Sequence, residues 1–125
     1  MALVTVPSAD LVIRSAIKVH AELGPGLFET VYTPCLVHEL RKAGACVRQQ
    51  VRVPLSYDGL VFDCAFRADL IVEDELIVEI KSVDKLAPVH YKQLLTYLRL
   101  SRIKKGLLIN FNETLLKNGL KSLVA

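Results

Sequence analysis

The chain has 125 residues, 52 % hydrophobic and 23 % charged, which suits one domain with its own core and excludes a disordered chain. Its net charge of +3 permits contact with nucleic acid without announcing it. Mean hydropathy is +0.37, yet uncharged apolar runs last only a few residues, far short of the roughly 20 that span a bilayer, so no membrane helix is expected.

Residues 1–10 carry no basic flank and no long apolar stretch. No signal peptide is expected, and the chain reads as cytoplasmic. Ser8 is the expected N-cap of a first helix, with Val12, Ala16, Val19 and Leu23 at helical spacing as its buried stripe. Gly24-Pro25-Gly26 stops it. A second helical segment covers roughly residues 27–43 and ends at Gly44. Pro34 interrupts it, either because Thr33 caps a helix that opens at Pro34 or because the helix runs through and kinks.

From Cys46 the period becomes two, with Val47, Gln49, Val51, Val53, Leu55 and Tyr57 on one face and Arg48, Gln50, Arg52 and Ser56 on the solvated one. Asp58-Gly59 is a hairpin turn into a strand over residues 60–72. Its Asp63, Arg67 and Asp69 share a face, where Asp63 and Arg67 read as an ion pair. Glu73-Asp74-Glu75 turns the chain into a third strand over residues 76–83. Pro88 opens a helix to about residue 100, with Leu94, Leu95 and Leu98 as core. A short apolar strand lies within residues 104–111, and Asn118-Gly119 marks a turn in the tail. Hairpins followed by a helical crossover give a mixed α/β sheet flanked by helices. Cys35, Cys46 and Cys64 are odd in number and lack zinc or Cys-x-x-Cys spacing, so they read as reduced, mostly buried thiols.

The chemistry concentrates in residues 69–81. Asp69 and Glu79 lie on adjacent apolar strands, and Lys81 shares the face of Glu79 because strand side chains alternate. A Glu-x-Lys by itself is usually an exposed ion pair. Here Ile77 and Val83 flank the charges, and Asp69 sits across the turn, within cross-strand reach of about 5 Å. Carboxylate oxygens suit magnesium, and a lysine beside them can orient a water. That is equipment for metal-assisted phosphodiester hydrolysis. Gln93 and Tyr97 are four apart on the following helix and so share a face toward this site. Glu29 follows the glycine-rich break as a first-turn glutamate, and Arg67 can reach a phosphate. His20 reads as structural and His90 as an exposed helix-start histidine.

Gly26-x-x-Glu29-x-x-Tyr32, Arg67-Ala68-Asp69-Leu70, Glu79-Ile80-Lys81 and Gln93-Leu94-Leu95-Thr96-Tyr97-Leu98 together resemble the small GxxExxY proteins, which are similar to the PD-(D/E)xK nuclease superfamily. The likeness runs over about residues 11–124. It implies a restriction-endonuclease-like α-β-β-β-α-β core and magnesium- or manganese-dependent phosphodiester cleavage, for which DNA is the favoured substrate while the sequence leaves RNA open. Asp69 and Glu79 would ligate metal, Lys81 would be the catalytic lysine, Glu29 would join through water or metal, and Gln93 would support the site. Arg67 and Tyr97 are candidates for substrate contact. Ala68 stands where the superfamily name has proline. A rival reading is a nuclease-fold module that binds nucleic acid or a protein without cutting. A homodimer is compatible with so small a domain.

Overall fold

The computed structural model describes residues 6–125. Residues 1–5, on which the expectation of no signal peptide partly rests, lie outside the described residues. The elements are α1 (Pro7–Leu23), α2 (Glu29–Lys42), β1 (Val47–Tyr57), β2 (Leu60–Val72), β3 (Leu76–Lys81), α3 (Pro88–Ser101), β4 (Lys105–Asn110), a 3-10 turn (Leu116–Gly119) and β5 (Leu120–Val124). Asp58 and Gly59 both take positive φ, 47° and 83°, the backbone hand that lets β1 fold straight back along β2. The five strands lie in the order β1-β2-β3-β4-β5. All neighbours are antiparallel except β3 and β4, which run parallel because α3 carries the chain back across the sheet.

Central β3 is buried from Leu76 to Ile80, as expected of a strand covered on both faces. Leu76, Val78 and Ile80 pack with Val12, Ala16, Tyr32 and Leu36 under α1 and α2. Ile77 packs with Leu94, Leu98, Ala68 and Leu108 under α3. Glu79 shares the parity of Ile77, so the fold takes this acid into a closed layer. No helix among the described residues is long and apolar enough to cross a membrane.

Several local expectations are corrected. Pro7, at the first helical position, opens α1 after Val6, and Ser8 lies inside the helix. The Ser8 N–H and hydroxyl both donate to Glu75 Oε2, at 3.2 and 2.7 Å, so a side chain from the β2–β3 turn satisfies this helix start. Leu23, the last residue of α1, is 39 % exposed and not part of the buried stripe. The chain runs helically through Pro34, starting from Glu29, so Thr33 is not a cap. The expected single face of β1 is also wrong. Val47 packs under α1 and α2, whereas Val51 and Val53 pack under α3. Gln50, with φ 48°, lies between them and turns the strand over. The third strand ends at Lys81, and the tail forms β5 along β4. Cys35 is half-buried while Cys46 and Cys64 are exposed, and all three are free thiols.

Candidate active site

Regular pairing of β2 with β3 stops at Leu70–Val78. Beyond it the two carboxylates stand in for the ladder. The Asp69 N–H donates to Glu79 Oε1 at 3.1 Å, and the Ile80 N–H donates to Asp69 Oδ2 at 2.9 Å. Each acid is thus fixed by the other's strand, and the two are brought together. Glu79 is 6 % exposed. Burial pushes its carboxyl up to about 8, and the neighbouring Asp69 charge adds to this, while the Asp69 N–H and the more distant Lys81 oppose it. Among the described residues no cation is ion-paired with either acid.

Lys81 is the last residue of β3, pinned on its backbone by the Phe111 N–H, which donates to its carbonyl at 2.9 Å. It forms no direct ion pair with Asp69 or Glu79 among the described residues. Instead it lines a polar cleft of about 410 Å³ with Asp69, Ile80, Gln49 and Gln50 from the sheet and with Glu29, Thr30, Thr33 and Pro34 from α2. The expected compact triad is therefore an acid pair with the lysine beside it.

Glu29, which spacing alone does not place, enters the site through a fixed loop. Gly26 takes φ 98°, a region open to glycine, and turns the chain into α2. The Tyr32 hydroxyl donates to the Gly24 carbonyl and accepts from the Leu27 N–H at 3.1 Å. Its ring is fully buried and stacked on Phe111, with centroids 4.5 Å apart. The Ser82 hydroxyl donates to the Leu27 carbonyl, tying this loop to the end of β3. Asn110 continues the support, with its amide bonded to both the N–H and the carbonyl of Val83. Tyr32, known from the sequence only as the last residue of the Gly26-x-x-Glu29-x-x-Tyr32 motif, and Asn110, which the sequence did not single out, are positioning residues. The signals were a tyrosine one turn after Glu29 and an asparagine ending an apolar strand.

Tyr97 reaches the acids from the α3 side. Its phenol is pushed up first by burial and then by the charges of Glu79 and Asp69. Its ring stacks on Phe66 with centroids 3.9 Å apart. Gln93, one turn earlier, is exposed and makes no hydrogen bond among the described residues. Arg67 is exposed on β2 and is not paired with Asp63. His20 is structural, with Nε2 bonded to the Glu113 carbonyl at 2.7 Å. His90 caps α3, its Nδ1 accepting from the Ala87 N–H at 3.0 Å.

A family model of the PD-(D/E)XK nuclease superfamily matches residues 7–123. The chain belongs to that superfamily. Its mixed five-stranded sheet with three helices is the superfamily's restriction-endonuclease-like α/β fold. The Ala68-Asp69 and Glu79-Ile80-Lys81 segments meet where the regular pairing of β2 with β3 has stopped. Among solved structures, the crystal structure of SSO0001 is similar at 21 % identity and a TM-score of 0.41, covering 97 % of this chain and 68 % of that one. No curated protein matches.

No group of three or more His, Cys, Asp or Glu side chains among the described residues is gathered closely enough to hold a metal by itself. Two carboxylates with no cation paired to them still suit magnesium, which keeps most of its waters and takes one or two carboxylates. The donor set therefore fits a hydrated magnesium ion better than a fully protein-caged metal.

Proposed function

We propose that this chain is a magnesium-dependent nuclease that hydrolyses phosphodiester bonds in DNA, with manganese able to replace magnesium. The observation that carries the reading is the pair Asp69 and Glu79, locked by reciprocal backbone bonds and ion-paired to no cation among the described residues, with Asp69 lining the same cleft as Lys81 and Glu29. Two acids crowded in a buried site repel each other once both ionise, so the arrangement suits a divalent cation that lets both do so. The Gly26, Glu29 and Tyr32 loop supports placing the chain with the GxxExxY proteins, because each of the three has a distinct physical task in presenting Glu29.

Asp69 and Glu79 would hold the metal, which supplies charge neutralisation at the phosphate and a more acidic water. Lys81 donates hydrogen bonds from Nζ to the attacking water or to the phosphate oxygens as negative charge grows on them. Glu29 accepts a hydrogen bond from water on the opposite wall, which matches its place in the cleft outside any three-acid cluster. Gln93 and Arg67, exposed and unpaired, are available to backbone phosphates. Tyr97, whose phenol feels the charges of Glu79 and Asp69, is available for substrate contact from the α3 side.

The test is incubation of the purified protein with labelled single-stranded, duplex and branched DNA and with RNA, in magnesium, manganese or EDTA. DNA should be cut with either metal and stay whole in EDTA. Inactivity on every substrate with both metals would reject the reading.

A further inference from the structure

Arg52 and Arg67 are directly opposed across β1 and β2. Both are exposed, and neither forms an ion pair among the described residues. Like charges facing each other across strands destabilise a sheet. The same strand shows the ordinary remedy four residues away, where Arg48 binds Asp74 Oδ1 at 2.6 Å. Among the described residues no acid pairs with Arg52 or Arg67.

Their direction follows from their neighbours. Val51 and Val53 flank Arg52, Phe66 and Ala68 flank Arg67, and all four pack in the layer under α3. Alternation therefore aims both arginines at the opposite face, the one that carries α2 and the cleft of Glu29, Asp69 and Lys81. Arg67 lies two residues before Asp69, and Arg52 two residues after Gln50, both cleft-lining positions. Two residues of strand rise span about 7 Å, comparable with the step between neighbouring phosphates of one nucleic-acid strand.

We infer that Arg52 and Arg67 form a two-arginine clamp for one backbone phosphate of the nucleic acid, a nucleotide step away from the phosphate in the cleft. The inference rests on the nuclease reading for its substrate class. Guanidinium groups suit the task because their planar forks match phosphate oxygens. An anion between the two removes the repulsion that the free protein carries.

The experiment is fluorescence anisotropy of a short fluorescein-labelled DNA duplex and its single strand, in calcium to prevent turnover, across a range of salt. Wild type, Arg52→Ala, Arg67→Ala, the double variant and Lys104→Ala are compared. Lys104 is exposed next to the first residue of β4, at the end of the sheet remote from Lys81. The double variant should lose about one unit from the slope of log affinity against log salt, the signature of one phosphate contact. Each single variant should lose part of it, and Lys104→Ala should keep the wild-type slope. Melting temperatures of the arginine variants should not fall, because removing one charge relieves repulsion. A double variant with the wild-type slope overturns the clamp and leaves the nuclease reading standing. A wild-type protein that binds neither probe overturns both. Clamp-dependent binding without cleavage in magnesium or manganese keeps the clamp and rejects the nuclease.

Discussion

Replacing Glu79 by glutamine should stabilise the metal-free protein at alkaline pH and leave its stability in acid nearly unchanged. The Glu79 carboxyl is 6 % exposed and is raised from an ordinary 4.5 to about 8, first by burial and then by Asp69. A raised acid holds its proton in the folded protein over a window where the unfolded chain has lost it. Below about 4.5 both states are protonated and Glu79 carries no penalty. Between about 4.5 and about 8 only the unfolded chain ionises, so stability falls by about 1.36 kcal/mol for each pH step of one. The deficit reaches about 3 kcal/mol at pH 7 and at most about 5 kcal/mol above pH 8, where it levels off. Glutamine keeps an Oε1 to accept from the Asp69 N–H and cannot ionise. Urea denaturation of both proteins in EDTA, at about pH 5, 6.5 and 8, reads the difference as a shift in midpoint at constant slope. The gap should widen steadily with pH. Magnesium should close it, because binding stabilises only the protein with both acids. A gap of the same size at all three pH values would refute the account of Glu79 as a buried, repelled acid.

Lys81→Ala should keep nucleic-acid affinity within a few-fold, since one phosphate contact is a small share of the electrostatic total, while single-turnover cleavage falls by roughly 10²–10³. Pro34→Ala restores a helical N–H toward the Thr30 carbonyl inside α2 and should stabilise by about 1–2 kcal/mol in chemical denaturation, whereas Thr33→Ala, no longer a cap, should change stability by less than about 0.5 kcal/mol. Tyr32→Phe leaves the Leu27 N–H and the Gly24 carbonyl without their partner and should cost about 1–3 kcal/mol, with a cleavage loss that exceeds the loss in binding if Glu29 is thereby displaced.

Local rules made most of the framework legible. The two-residue period, the Asp58-Gly59 turn and the Gly24-Pro25-Gly26 stop each act within a few residues, and β2 falls on the expected bounds Leu60–Val72. Asp69 and Glu79 were legible for the same reason, because a short turn between two strands forces them to meet. The strand β5 was not, because Leu120–Val124 becomes a strand only by pairing with β4. The sequence alone determined the mixed α/β plan and the acid pair, since periodicity and tight turns are properties of neighbouring residues. Only the tertiary structure decided that Gln50 turns β1 over, that Lys81 is not ion-paired with the acids, and that Glu29 shares a cleft with Asp69 and Lys81. Those outcomes depend on contacts between distant segments, such as Tyr32 on Phe111 and Ser82 on Leu27, and on burial that no local pattern records.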